Sequence, residues 1–209
     1  MELQDYLKDH TSAPDDVLRW LIKETNIRTN HARMLSGEVL GKLLEFISKM
    51  ISPSRILEIG TFTGYSAICL ARGLKEGGSL HAIELNDEQS ALISEAFERA
   101  GISQKSSVFY GDAKIIIPSL KDIYDLVYID ANKREYSIYY DLVFDKVAAG
   151  GYIIADNVLW DGKVLQDPLP VDAQTKSLAE FNEKIKNDRR VEKVMLPLRD
   201  GLFIIRKIE

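Results

Sequence analysis

Asp130, Asp156 and Asn157 are residues whose types and placement in this 209-residue chain could do chemistry. Each follows a short apolar run, Asp130 after Leu126-Val127-Tyr128-Ile129 and Asp156-Asn157 after Tyr152-Ile153-Ile154-Ala155. If those runs are parallel strands of one sheet, their ends point to one edge and the three side chains converge. Two carboxylates and an amide oxygen form a hard, oxygen-only donor set with open positions, which favours Mg²⁺, Ca²⁺ or Mn²⁺ over Zn²⁺. Lys133 follows closely and could take the proton of a hydroxyl acidified by such an ion, provided its amine is neutral. Taken singly, each motif also has a plainer meaning: Asp130 and Asp156-Asn157 as loop caps, Lys133 as a solvated lysine.

A second cluster begins at Ile56-Leu57-Glu58-Ile59-Gly60-Thr61-Phe62-Thr63-Gly64-Tyr65-Ser66, a strand running through a glycine-bearing turn into a helix. The Gly-x-x-x-Gly spacing of Gly60 and Gly64 departs from the Gly-x-Gly-x-x-Gly of dinucleotide enzymes, which disfavours a dehydrogenase. Glu58 puts a carboxylate beside this loop, suited to a cationic group rather than to phosphate. The next apolar run ends in Glu84, able to accept the two hydroxyls of a ribose, and the one after it ends in Gly111-Asp112-Ala113, suited to a nucleobase edge.

These residues need a frame. Strand patterns fall at Arg55–Ile59, Ser79–Glu84, Ser107–Tyr110, Leu126–Ile129 and Tyr152–Ala155, with helical segments expected around 66–73, 87–99, 113–120 and 135–148. Alternation of this kind builds an α/β fold with helices on both faces of a parallel sheet. Gly77-Gly78 and Gly150-Gly151 read as stops and turns. After the fifth strand come a Pro-containing loop, a helix near 172–187, and two strands at Val191–Leu196 and Leu202–Arg206 close enough to form a hairpin. The first fifty residues are expected to be helical, with Leu40, Leu43, Leu44 and Ile47 as the stripe that packs on the sheet. The chain is expected to be one domain over residues 1–209, a helical segment at 1–50 followed by a Rossmann-like core at 51–209.

Composition narrows the classes. A net charge of −5 argues against a protein whose main work is gripping long nucleic acid. The one cysteine, Cys69, sits in an apolar run as a small buried hydrophobe, so a disulfide framework is excluded and a reducing, cytoplasmic setting is expected. Neither a signal-peptide pattern nor an apolar run long enough for a membrane span is present in the sequence.

The segments Glu58–Ser66, Asp130–Lys133, Asp156-Asn157-Val158-Leu159-Trp160 and Leu196-Pro197-Leu198-Arg199-Asp200-Gly201-Leu202 together resemble the caffeoyl-CoA and catechol O-methyltransferase family, and the likeness runs from about residue 30 onward. The resemblance implies a class I methyltransferase fold, a seven-stranded, mostly parallel sheet with a reversed C-terminal strand. It implies S-adenosylmethionine as methyl donor, contacted by Ser36, Glu58, Gly60, Thr61, Ser66, Glu84, Ala113, Asp130 and Asn132. It further implies a divalent cation on Asp130, Asp156 and Asn157, Lys133 as general base with Asp130 beside it, and a homodimer whose contact surface includes the N-terminal helices. The acceptor would be a hydroxylated aromatic small molecule with two neighbouring oxygens, walled by Trp160 and Tyr65 and approached by Asp161.

Three departures bear on the acceptor. Asn132 stands where plant members carry a second aspartate, Asp161 stands where they carry an asparagine at the substrate, and their longer substrate-loop insertion is missing or much reduced. Coenzyme A thioesters are therefore poor candidates, and Asp161 would favour a neutral or cationic acceptor. Two other functions stay open. One is methylation of 5-hydroxyuridine in transfer RNA, for which Arg28, Arg33, Arg189, Arg190, Lys193 and Arg199 would be the basic contacts. The other is a non-catalytic nucleotide-binding module on the same sheet.

Overall fold

In a computed structural model, which describes residues 2–209, seven strands form one sheet in the order β3-β2-β1-β4-β5-β7-β6. The strands are β1 (Arg55–Ile59), β2 (Ser79–Glu84), β3 (Ser106–Tyr110), β4 (Tyr124–Ile129), β5 (Val147–Asp156), β6 (Val191–Leu196) and β7 (Leu202–Lys207). β1 to β5 run parallel, while β7 pairs antiparallel with both β5 and β6. This is the Rossmann-like sheet with a reversed final strand that the sequence implied, and the order reverses at β1/β4, where open α/β sheets place their ligands.

Eight helices cover the sheet: α1 (Leu3–Asp9), α2 (Asp16–Arg28), α3 (Gly37–Ile51), α4 (Tyr65–Ala71), α5 (Ser90–Arg99), α6 (Ala113–Ser119), α7 (Tyr136–Phe144) and α8 (Ala173–Asn187). Strand side chains alternate between two cores because successive residues point to opposite faces. Leu57, Ile59, Val127, Ile129, Ile153 and Ala155 pack against α6, α7 and α8. Ile56, Leu126, Tyr128 and Ile154 pack on the other face with α2, α3, α4 and α5. Leu40, Leu44 and Ile47 of α3 are buried there and Leu43 is half-buried, so the N-terminal stripe docks on the sheet as its spacing required.

The structure corrects one stretch. The helix expected over 135–148 is shortened to α7, and a 3-10 turn at Lys133–Glu135 precedes it. β5 begins at Val147 and passes through Gly150 and Gly151, so these glycines do not stop a helix; they sit inside a strand. Gly150 takes φ +75°, and the β4–β5 register shifts between Tyr124 and Leu126, which marks an irregularity beside the glycines. The amide of Tyr124 donates to the carbonyl of Lys146 at 2.7 Å, capturing the chain for the sheet just after α7 ends. Among the described residues no helix is long and apolar enough to cross a membrane.

Candidate active site

Register fixes the site. β1 pairs Ile59 with Ile83 of β2 and with Ile129 of β4, and β4 pairs Ile129 with Ala155 of β5. One residue further, Glu84, Gly60, Asp130 and Asp156 therefore stand side by side across four strand ends. A cavity of about 680 Å³ opens over them. Its walls include Ser36, Gly60, Thr61, Ser66, Glu84, Ala113, Asp130, Asn132, Lys133, Asp156, Asn157 and Trp160, so of the residues expected to hold cofactor, metal or small-molecule acceptor only Glu58 and Asp161 lie outside it.

The half under β1, β2 and β3 is shaped by backbone. Gly60 takes φ +88°, and a Cβ there would fall 2.2 Å from the carbonyl oxygen of Asp130, so no other residue fits. The Glu84 carboxylate accepts from the amides of Phe62 at 2.7 Å and Asn86 at 3.0 Å. Each oxygen keeps a lone pair for a ligand hydroxyl. Asp112 uses its carboxylate to cap α6 at the amide of Lys114, 2.8 Å away, which places Ala113 at the cavity wall.

Glu58 is one of the two exceptions. It is fully buried beneath the Gly60 loop, outside the cavity wall, and accepts a hydrogen bond from the Thr61 hydroxyl. Burial pushes its carboxyl up to about 7; the hydroxyls of Ser66 and Thr61 oppose this, while Asp130 and Glu84 add to it. Its Oε1 has no partner, an acceptor left over under the loop.

The other half is built on β4 and β5. Asp130 Oδ1 accepts from Lys133 Nζ at 2.6 Å. Asp156 is 2% exposed; its Oδ2 accepts from the Tyr128 hydroxyl at 3.1 Å and its Oδ1 from the Asn157 amide at 2.8 Å. Burial raises the Asp156 carboxyl to about 6, and the neighbouring Asp130 pushes in the same direction. Among the described residues no group of three or more His, Cys, Asp or Glu side chains gathers that could hold a metal ion. Asn132 spends its side-chain oxygen on the amide of Arg134 at 3.2 Å, capping the 3-10 turn that carries Lys133.

Trp160 lines the cavity with φ +49°, and its buried Nε1 has no partner. Tyr65 also borders the cavity but is 2% exposed and wedged against Gly41, so it belongs to the packing beneath. Asp161, the second exception, is exposed and outside the cavity wall, its amide donating to the Asp200 carboxylate. Of the six basic residues noted above, only Arg33 and Arg199 border the cavity. Arg28 is paired with Glu24 and Glu95, and Arg190 with Asp188. Met34 and Gln174 also line the cavity; no local pattern in the sequence marked them.

The chain has relatives of known fold. A family model described as O-methyltransferase matches residues 8–208, so the likeness extends further toward the N-terminus than the motifs alone suggested. Caffeoyl-CoA O-methyltransferase 1 of Arabidopsis thaliana is 33% identical over 182 residues, covering 80% of this chain and 69% of the relative. The SAH-bound methyltransferase PaMTH1 of Podospora anserina superposes with a TM-score of 0.90 at 26% identity, covering 99% of this chain and 94% of that one. The O-methyltransferase TomG of Streptomyces achromogenes, solved in complex with SAM, gives a TM-score of 0.92 at 25% identity with both chains fully covered. The seven-stranded sheet is thus the class I methyltransferase fold, and the chain belongs to the O-methyltransferase family.

Proposed function

We propose that this protein transfers a methyl group from S-adenosylmethionine to a hydroxyl of a vicinal dihydroxy aromatic molecule, with a divalent cation held by Asp130, Asp156 and Asn157. The observation that carries the reading is the convergence in one cavity of a glycine-built nucleoside cradle at Gly60 and Glu84 and an oxygen-only donor set at the next two strand ends. The donor set fits a hard cation. The cradle fits a nucleoside, since Gly60 lets the loop after β1 lie directly against the Asp130 backbone and Glu84 is held rigid by two amides with lone pairs to spare. Relatives solved with SAH or SAM bound support the same donor.

A divalent cation held by Asp130, Asp156 and Asn157 would supply Lewis acidity toward an acceptor hydroxyl, and S-adenosylmethionine would supply the methyl group. The chain's own residues do the rest. Lys133 Nζ, 2.6 Å from Asp130 Oδ1, is positioned to take the hydroxyl proton. Tyr128 and the Asn157 amide fix the Asp156 carboxylate, which reduces the reorganisation needed during reaction. Trp160 gives the acceptor end an aromatic wall. Ser36, Thr61, Ser66, Ala113 and Asn132 complete the donor pocket, and Glu58 supports its loop from beneath.

Dispersal of the basic residues supports a small acceptor over transfer RNA, because Arg28 and Arg190 are spent in ion pairs and do not extend the Arg33–Arg199 edge. Exposed Leu3 and Tyr6 on α1 and Phe46 and Met50 on α3 offer apolar surface for the homodimer. A single-turnover assay with methyl-labelled cofactor against catechols, flavonoids and undermodified transfer RNA tests the reading: label should enter the catechols. Label entering transfer RNA alone would overturn the substrate assignment.

A further inference from the structure

We propose that the turn between β6 and β7 is a clasp joining the two ends of the cavity, with Arg199 and Asp200 as positioning residues that couple donor binding to the order of the acceptor loop. It rests on the donor assignment made above.

The turn is tight: the Gly201 amide donates to the Leu198 carbonyl at 2.9 Å. Arg199 holds φ +50°, a left-handed conformation that a long side chain adopts only when its surroundings impose it. From there its guanidinium donates to the carbonyl oxygens of Leu35, at 3.1 Å, and Ser36. Leu35 and Ser36, just ahead of α3, form the wall across the donor end of the cavity. More than 160 residues separate the partners in sequence, so neither secondary structure nor local turn chemistry explains the contact.

The adjoining residues grip the opposite end. The Asp200 carboxylate accepts from the Asp161 amide, the Asp200 carbonyl from the Leu159 amide at 2.8 Å, and the Gly201 carbonyl from the Val158 amide at 3.2 Å. A Cβ on Gly201 would meet Leu159 Cγ at 2.4 Å, so the turn is pressed directly against the acceptor loop. That loop carries Trp160 and Asp161, both with positive φ, and owes its shape to these outside contacts. One short turn therefore holds the wall on one side and the loop on the other. Occupation of the donor end, by fixing Leu35 and Ser36, stiffens the turn and through it the loop, so that donor binding favours acceptor binding.

Hydrogen exchange followed by mass spectrometry, with S-adenosylhomocysteine as probe and its binding checked by calorimetry, tests the clasp on the full chain. In the wild type the probe should slow exchange both at 32–36 and at 158–165. Arg199→Ala should still bind the probe, about tenfold more weakly, as expected for a lost hydrogen bond, and at saturation should lose the protection at 158–165. Arg199→Lys should restore part of it. Asp200→Ala should raise the acceptor KM about tenfold with the donor KM unchanged, and Asp200→Asn, which keeps the acceptor oxygen for the Asp161 amide, should recover most of that loss. General loosening of the fold would not split the two KM values in this way. Protection at 158–165 that survives Arg199→Ala, or that never appears in the wild type despite heat of binding, overturns the clasp alone. Absence of binding heat overturns the donor assignment and the clasp with it.

Discussion

The two halves of the cavity are held in different ways. Under β1, β2 and β3 the positive φ angles of the loop fall on Gly60, Phe62 and Gly64, the buried hydroxyl of Thr61 meets Glu58 three residues away, and Glu84 is fixed by the amides of Phe62 and Asn86. After β5, positive φ falls on Asn157, Trp160 and Asp161, and the loop hangs on distant residues, Asn182 at the Val158 carbonyl and the turn at Asp200. At Phe62 and Trp160 such a conformation costs on the order of 1 kcal/mol and persists where surrounding contacts impose it, while Asn157 and Asp161 adopt it more readily. The half proposed to hold the donor thus carries one such residue, Phe62, between two glycines, and the half proposed to hold the acceptor carries three and leans on the β6–β7 turn.

The sharpest break in this comparison comes at the boundary between the halves. Asp156→Ala should lower kcat on a catechol by about 10³-fold, the several kcal/mol that a cation contributes, while the affinity for S-adenosylhomocysteine stays within about threefold. Equal losses in both would mean that the halves are not separable. Lys133→Met should lower kcat on the order of 10²-fold with little change in acceptor KM. An unaltered pH–rate profile in that variant would remove the base from the acceptor half. In the donor half Glu84→Ala should weaken S-adenosylhomocysteine about tenfold in calorimetry, with acceptor KM unchanged.

The smallest effect probes the donor half from beneath. Burial raises the Glu58 carboxyl from 4.5 to about 7, so the folded protein keeps a proton that the unfolded chain releases. Its contribution to stability is complete below the unfolded value of 4.5 and is lost as pH rises through about 7. The ligand-free protein should melt roughly 5 °C lower at about pH 8 than at about pH 5 on this account, and Glu58→Gln should flatten that difference. Equal slopes for the two proteins would show that Glu58 is not the group responsible.

The same division governs what could be read from the sequence. β1, β2 and β6 stood out with their boundaries because apolar runs bounded by glycine or polar residues define strands locally. Asp130, Asp156 and Asn157 could be placed together because parallel strands must end at one edge, and the register pairing Ile129 with Ala155 puts them there. Gly150-Gly151 misled because a glycine pair serves a turn and a strand irregularity equally well, and only the pairing with β4 decides. Glu58 was assigned to the donor contacts by resemblance, and its place beneath the loop follows from strand alternation, which turns it with Ile56 and Tyr128 toward the α3 and α4 side. Arg199 reads from the sequence as a positive charge and as part of the Leu196–Leu202 segment; its grip on Leu35 and Ser36 depends on a hairpin folding back over the N-terminal segment, which no local pattern encodes.

The most direct test is transfer of labelled methyl from S-adenosylmethionine to a catechol, measured before and after chelation and again after adding Mg²⁺. Transfer that falls to background with chelator and returns with Mg²⁺ is the predicted result. Transfer at the same rate in chelator would contradict the cation site at Asp130, Asp156 and Asn157.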